Sequence, residues 1–179
     1  AEASVAGFGP DAGCYRCLQA RVAANTGTDA NTDQDPESAP DSGTQRFAGA
    51  VAGRRIHDAL SGTGPLAGTV VELPYAARQF LPVPTCSCGG SRSWLPRDGE
   101  PPTHEREALA RAEAGLDERV GLVTEVGETE SFPAPYYLAS VARTDGFSDV
   151  TAARQAAGVA DDWETAFMKD LGESYERYA

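Results

Sequence analysis

The stretch Gly13-Cys14-Tyr15-Arg16-Cys17-Leu18 holds two of the four cysteines of this chain, and Cys86-Ser87-Cys88 holds the other two. Structural zinc sites take four ligands in a tetrahedron, and each close pair of thiolates can supply two of them. We therefore predict one metal centre built from Cys14, Cys17, Cys86 and Cys88, with zinc favoured and iron on the same thiolates as the open alternative. Because the unfolded chain has no preformed site, metal binding there would contribute directly to folding.

Three other interpretations of the cysteines are less favoured. Disulfide bonds would need an oxidising compartment, and no secretion signal indicates one. A thioredoxin-like redox CxxC motif would need a surrounding βαβ pattern, which the sequence lacks. Four unrelated buried cysteines would not be expected to fall into two tight pairs.

Charge and hydropathy exclude several classes of partner. The 179 residues include 27 acidic and 15 basic side chains, a formal net charge of −12. Such a surface repels phosphate backbones, so we expect no nucleic-acid partner. No run of about 18 apolar residues occurs and no signal-peptide pattern is present, so we expect a cytoplasmic protein without membrane contact. Met168 is the only methionine and the chain ends within a helical pattern, so we expect an internal fragment of a longer protein.

The hydrophobic pattern predicts a mixture of helices and strands. Predicted helices cover residues 15–25, 44–60, 104–114 and 162–179, the last of them capped by Asp161. Predicted strands cover 4–8, 68–73, 78–83, 120–126 and 136–143. The apolar residues of the second helix are expected largely on one face: Phe47, Ala50, Val51, Ile56 and Leu60.

The connecting segments are polar or rich in proline and glycine. Residues 27–43 should form a surface loop. Residues 89–103 contain the best candidate for a linker, which we place at 96–103, between regions 1–95 and 104–179. The sequence contains neither a GxxxxGK[ST] loop nor a GxSxG motif, so any nucleotide would need another scaffold and a serine hydrolase is not supported.

The last helix, WETAFMKDLGESYERYA at 163–179, carries the second pattern of interest. Glu173, Glu176 and Arg177 are spaced at i, i+3 and i+4 and therefore share one side of the helix. The simplest interpretation is a surface ion pair between Glu173 and Arg177. Two neighbouring carboxylates could instead hold Mg²⁺ together with a nucleotide phosphate.

The segment Leu171-Gly172-Glu173-Ser174-Tyr175-Glu176-Arg177-Tyr178 resembles the LGEALERY helix near the start of YcaO domains. YcaO proteins use ATP to activate a peptide-backbone amide, either cyclising Cys, Ser or Thr side chains to azolines or forming thioamides. The resemblance implies that Glu173 and Glu176 bind Mg²⁺ and the ATP phosphates, with Arg177 in the same site.

Upstream segments extend this resemblance and also depart from it. Residues 118–123 and 136–141 look like the first strands of such a domain, and Gly158 lies where the family has a GKG turn. The lysine of that turn is replaced by Val159. The serine that commonly precedes the first glutamate by four residues is replaced by Lys169.

The cysteine segment resembles a second module of the same systems. Cys14-Tyr15-Arg16-Cys17, followed by Arg21 and Asn25, looks like the four-cysteine zinc segment of ThiF-like leader-peptide-binding partners. The resemblance implies an α/β (α+β) fold class: a small zinc-clipped end of a ThiF-like domain at 1–95, a linker at 96–103, and the N-terminal part of a YcaO α/β domain at 104–179.

The combined resemblance implies part of an ATP- and Mg²⁺-dependent enzyme that forms azolines or thioamides in ribosomally made peptides, as in bacteriocin biosynthesis. Its substrate would be a precursor peptide or protein. An oxidase or sulfur-donor protein would be a partner, and a homodimer is a conceivable assembly. Half a nucleotide site cannot orient ATP, so this portion alone should be inactive. The alternative is a non-catalytic, zinc-braced peptide-binding scaffold.

Overall fold

A computed structural model describes residues 3–9, 12–27, 40–74, 76–84, 86–89, 104–130, 134–144, 151 and 153–178. These residues form four α-helices, six β-strands and one short 3₁₀ turn at Ser87–Gly89. In chain order the helices and strands are β1 (Ala3–Gly7), α1 (Tyr15–Thr26), α2 (Ser42–Leu60), β2 (Thr69–Leu73), β3 (Ala76–Gln79), α3 (Glu105–Glu113), β4 (Val123–Glu130), β5 (Tyr136–Val141), β6 (Gln155–Val159) and α4 (Trp163–Tyr178).

The strands form two antiparallel sheets of three strands each, in the orders β1-β2-β3 and β4-β5-β6. In the first sheet Val71 of β2 lies opposite Val5 of β1 and Ala77 of β3. In the second sheet Ala139 of β5 lies opposite Val126 of β4 and Ala156 of β6. Helices and antiparallel sheets together confirm the predicted mixed α+β class.

Two hydrophobic cores stabilise the described parts of the chain. The first lies between α1 and the β1–β3 sheet and contains Cys17, Val70, Phe80, Val83 and Val120. The second lies where α4 covers the β4–β6 sheet, and contains Leu122, Val123, Ala139, Val141, Ala142, Ala156, Leu171 and Tyr178. Val120 belongs to the first core although it lies only two positions before Leu122 of the second, so the two cores are adjacent.

Several predicted elements are confirmed. The helices expected at 15–25, 44–60 and 104–114 begin and end within two residues of the predicted positions. Asp41 caps α2, because its carboxylate accepts hydrogen bonds from the Gly43 and Thr44 amides. The last helix is capped by Asp162, which accepts from the Thr165 amide at 2.9 Å. Our assignment of that cap to Asp161 was therefore wrong by one residue.

Two strand predictions and one omission need correction. The strand expected at 78–83 runs from Ala76 to Gln79. The strand expected at 120–126 begins only at Val123, because Asp117 holds the preceding residues in a turn through the amides of Arg119 and Val120. Strand β6 was not predicted, and Gly158 lies in this strand and not in the expected turn.

The expected apolar face of α2 is also wrong. Phe47 and Ile56 are nine positions apart, so at about 100° per residue they lie on opposite sides of the helix. Both are 49% exposed, and α2 has no buried residue.

Two expectations fall on residues outside the described ones: most of the 27–43 loop and the 96–103 linker. The division into domains at 1–95 and 104–179 stays a prediction. Within the parts of the chain that the structure describes, no helix is long and apolar enough to cross a membrane.

Candidate metal centre and carboxylate helix

The four cysteine sulfurs meet beside the start of α1. The Sγ atom of Cys14 lies 3.9 Å from that of Cys17 and 3.6 Å from that of Cys86, and the Sγ atoms of Cys17 and Cys88 are 3.6 Å apart. All four sulfurs lie within 4.8 Å of one another. Zinc–sulfur bonds of about 2.3 Å in a tetrahedron would place the sulfurs about 3.8 Å apart, so the arrangement fits a four-thiolate metal site.

The predicted clustering is therefore confirmed, and the cysteines could hold a metal ion. All four are free cysteines. Their sulfurs lie well beyond the disulfide bond length of about 2.05 Å, so the disulfide alternative does not describe this arrangement.

Local structure explains how the two pairs are presented. Cys14 is the residue before α1 and Cys17 lies in its first turn, while the 3₁₀ turn at Ser87–Gly89 presents the second pair. Gly13 has a φ of 92°, and a Cβ atom there would lie 2.9 Å from the Phe80 ring, so only glycine fits before the first ligand. The Val83 amide donates a hydrogen bond to the Sγ atom of Cys17 at 3.3 Å, which ties the second segment to the first.

Electrostatics favour a cation among these sulfurs. A hydrogen bond from the Cys17 backbone lowers the pKa of Cys14 to about 7. Burial, together with the neighbouring cysteines, raises the pKa of Cys88 to about 12. Without a metal ion, one cysteine therefore ionises readily, and its negative charge disfavours the ionisation of a second. A bound divalent cation would remove that repulsion and stabilise all four thiolates.

Arg21, one turn after Cys17 on α1, is a buried cation beside this centre. Its side chain is 1% exposed and its guanidinium donates to the carbonyl oxygens of Leu81 and Pro82 at 3.1 and 3.0 Å. It also donates to the Tyr178 hydroxyl on α4 at 2.5 Å, and the guanidinium carbon lies 4.8 Å from the centroid of that ring. Burial lowers the pKa of Arg21, and the tyrosine acts in the opposite direction.

Asn25 makes a second contact from α1 to the later part of the chain. Its side-chain amide donates to the Gly121 carbonyl at 3.0 Å. Arg21 and Asn25 follow the CxxC pair in the family resemblance, and the structure directs both side chains to residues beyond position 120.

On α4, the structure brings two of the three predicted nucleotide-site residues into direct contact. Arg177 forms an ion pair with Glu173, and its Nε atom donates to Glu173 at 2.7 Å. The other carboxylate oxygen of Glu173 accepts from the Ala157 amide of β6 at 3.2 Å. The hydrogen bond from Arg177 and then that from Ala157 lower the pKa of Glu173. Glu176 is exposed on the same helix.

The two departures from the family pattern contact each other. The Lys169 ammonium donates to the Val159 carbonyl at the end of β6, with Nζ 3.1 Å from the oxygen. A lysine nitrogen therefore lies at the end of this strand, although the side chain that carries it comes from the helix.

Asp170 on α4 is a buried acidic residue that no sequence motif indicates. It is 0% exposed, and among the described residues neither carboxylate oxygen has a hydrogen-bond partner. Burial raises its pKa to about 6; the Ala139 amide acts in the opposite direction without reaching hydrogen-bond geometry, and the charge of Glu173 adds to the rise. The helical period could have placed Asp170 on the buried side, since it lies four positions after Ala166 and four before Ser174.

Comparison with known proteins gives a likeness of fold. No protein-family model and no curated protein matches this sequence. A solved structure described as a heterocyclase in complex with substrate and cofactor is similar, with a TM-score of 0.55 and 18% sequence identity. The similarity covers 93% of this chain and 28% of that one. The chain thus has a heterocyclase-like fold and spans just over a quarter of that protein's length.

Proposed function

We propose that this chain is part of an ATP- and Mg²⁺-dependent peptide-modifying enzyme of the YcaO type, one that forms azolines or thioamides in ribosomally made peptides. The observation that supports this most is the combination, within a fold similar to a heterocyclase, of a four-thiol cluster with a helix carrying Glu173, Glu176 and Arg177. Low identity limits the comparison to the fold, so the activity rests on these residues and on the LGESYERY segment.

Azoline formation joins a side-chain sulfur or oxygen to the carbon of the preceding backbone carbonyl. The carbonyl oxygen then leaves, and phosphorylation by ATP makes it a good leaving group that departs as phosphate. In thioamide formation a sulfide replaces the same oxygen. The enzyme must therefore orient a highly negative nucleotide and neutralise the charge that develops on its phosphates.

The residues of α4 suit the holding of a metal-bound nucleotide. Mg²⁺ binds through one or two carboxylates together with substrate phosphates, and Glu173 and Glu176 are separated by one helical turn. The hydrogen bond from Arg177 lowers the pKa of Glu173 and so favours the ionised carboxylate. Arg177 itself, 45% exposed, can reach a phosphate oxygen from the same face. Lys169, one helical turn before Glu173, adds a further cation on this helix.

The four cysteines would hold zinc as a structural brace, because four protein ligands leave no open position for substrate. A precursor peptide as substrate, an oxidase or sulfur-donor partner, a cytoplasmic location and a homodimeric assembly belong to the same proposal.

The test uses the full-length protein with a precursor peptide. We expect Glu173→Ala combined with Glu176→Ala to abolish peptide-dependent ATP turnover, measured as phosphate release. The matched control is Asp161→Ala combined with Glu164→Ala, which removes two exposed acidic residues near the start of α4 and should retain activity. Unchanged turnover in the first double variant would remove these residues from the nucleotide site.

A non-catalytic, zinc-braced peptide-binding scaffold remains the second candidate, and the four-thiol cluster is compatible with it. A scaffold would bind the peptide equally well in both double variants and would show no ATP turnover in the parent protein.

A further inference from the structure

Arg21 connects two parts of the molecule that are far apart in sequence. Its contact with Tyr178 joins residues separated by 157 positions. Among the residues that the structure describes, no carboxylate pairs with this buried guanidinium, so two carbonyls and a tyrosine hydroxyl carry most of its compensation. A buried charge is costly unless its hydrogen bonds are well aligned, so the positions of these three acceptors matter.

Two of the acceptors belong to the segment that delivers the second cysteine pair. Leu81 and Pro82 directly precede Val83, whose amide donates to the Sγ atom of Cys17. Arg21 itself follows Cys17 by one helical turn. The donor and its two carbonyl acceptors therefore lie on the two chain segments that a metal ion at the cysteines would hold together.

The third acceptor is the hydroxyl of Tyr178 on α4. Tyr178 directly follows Arg177, which pairs with Glu173. The second contact from α1, between Asn25 and Gly121, fixes α1 against the residues that precede β4. Helix α1 thus begins in the cysteine cluster and, through Arg21 and Asn25 one and two turns later, contacts the part of the chain that carries α4.

We propose that Arg21 is a positioning residue through which metal bound at the four cysteines fixes helix α4 and, with it, the Glu173–Arg177 pair. Metal binding aligns α1 with residues 81–83, this alignment directs the guanidinium, and the guanidinium holds Tyr178. The coupling between metal and helix stands on these contacts alone. Its consequence for nucleotide binding rests on the proposed function.

The chain offers a matched pair of variants for the test. Tyr178→Phe removes the hydroxyl that accepts from Arg21 but keeps the ring that stacks on the guanidinium. Tyr175→Phe makes the same chemical change three residues earlier on α4, where the hydroxyl donates to the Ala112 carbonyl on α3 at 3.0 Å. Each variant loses the partly or wholly buried hydrogen bond named here, and only the bond between Arg21 and Tyr178 lies on the proposed connection.

The measurement is zinc affinity of the full-length protein, by competition with a chelator and without nucleotide or peptide. Coupling is reciprocal, so a helix held by the metal must in turn strengthen metal binding. We expect Tyr178→Phe to weaken zinc binding by about tenfold, the scale of a hydrogen bond to a charged group. We expect Tyr175→Phe to stay within about twofold of the parent, as for changes outside a coupled network.

A second readout follows the opposite direction. Amide hydrogen exchange of residues 171–178 should accelerate when zinc is removed from the parent protein, and this acceleration should be much smaller in Tyr178→Phe. Equal loss of zinc affinity in both variants would show that general loosening of α4 is responsible, and the proposal would fail. Unchanged affinity in a folded Tyr178→Phe protein would also overturn it. Should that variant not fold, Arg21→Lys takes its place, and unchanged zinc affinity there would overturn the proposal equally.

Neither readout involves ATP. Failure of the proposed function would therefore leave this test intact, and failure of this test would leave the roles of Glu173 and Glu176 to be decided by ATP turnover.

Discussion

Gly158 of β6 lies so close to Ala166 of α4 that a Cβ atom on the glycine would come within 2.0 Å of the Ala166 carbonyl oxygen. The same atom would lie 2.4 Å from the Asp170 backbone nitrogen. The strand and the helix therefore approach each other backbone to backbone, without side chains between them. This contact sets the distance at which α4 covers the second sheet.

Gly158→Ala should consequently destabilise the protein. Relieving the overlap requires α4 or β6 to move, and overpacking of this kind costs about 1–3 kcal/mol, with this site at or above the upper end. The control is Gly127→Ala on β4, where an added Cβ meets nothing within 4 Å. That variant should be neutral or slightly stabilised, because alanine restricts the unfolded chain. Urea unfolding of the two variants and the parent measures both effects; equal stabilities would mean that the close approach is not a constraint.

Arg78 of β3 should contribute more to the stability of the protein than an arginine whose side chain is mostly exposed. It donates to Glu72 at 3.1 Å and to the two carboxylate oxygens of Asp117 at 3.0 and 2.9 Å, and its side chain is 15% exposed. Arg78→Ala leaves the largely buried Asp117 without this cation and Glu72 with Arg119 alone, and we expect a loss of about 2–4 kcal/mol in the free energy of unfolding.

The control for Arg78 is Arg54→Ala on α2. Arg54 pairs with Asp58 at 2.9 Å but is 77% exposed. Removal of an exposed pair on a helix should cost at most about 0.5 kcal/mol. A loss as small as this in Arg78→Ala would show that water replaces the arginine at no great cost.

Zinc content should follow the cysteine pairs. The protein should carry one zinc ion per chain by elemental analysis, and serine at either pair, Cys14 with Cys17 or Cys86 with Cys88, should remove it, since two thiolates cannot complete a tetrahedral site. Ser87→Ala, between two of the ligands, should retain the metal. Because the site closes the first core, zinc-free variants should also unfold at lower temperature. Full zinc content after loss of one pair would exclude a four-thiolate site.

Asp170 predicts a specific dependence of stability on pH. Its pKa in the folded protein is about 6, against an ordinary value of 3.8. The folded state therefore binds the proton more tightly than the unfolded state, and ionisation costs stability as the pH rises from about 4 to above 6. Asp170→Asn lacks this titration, so its stability relative to the parent should improve by about 1–2 kcal/mol between pH 5 and pH 8. Parallel pH profiles of the two proteins would show that Asp170 titrates normally.

The metal centre could be predicted from the sequence because its chemistry is local. Two cysteines at positions 14 and 17 lie on one side of a helical turn and can bind the same ion, and two at positions 86 and 88 can do so from a tight turn. The fold is needed only to bring the two pairs together. Because structural zinc takes four ligands, the sequence already predicts that the pairs meet.

Strand β6 could not be predicted for a physical reason. Its sequence, Gln-Ala-Ala-Gly-Val, contains one β-branched residue and no alternating pattern, so strand propensity does not indicate a strand here. Its small side chains allow the close approach of α4. For α2 the predicted apolar face was wrong because it included both Phe47 and Ile56, which are nine positions apart and lie on opposite sides of the helix.

The burial of Arg21 could not be predicted, although the family resemblance includes this residue. Composition places charged side chains at the surface, and a buried guanidinium needs acceptors that surround it. The acceptors of Arg21 come from residues 81, 82 and 178, which no local pattern connects to position 21.

The separation between Arg21 and Tyr178 also orders events during synthesis on the ribosome. All four cysteines have been made once residue 88 is added, whereas Tyr178 follows 90 positions later (178 − 88), an interval of about 5–18 s at typical rates of translation. In that interval the nascent chain can acquire its metal ion, but the arginine must remain hydrated because its last acceptor does not yet exist. Burial of this cation is thus a late step in biosynthesis, and the growing chain exposes a positive charge that is buried in the finished protein.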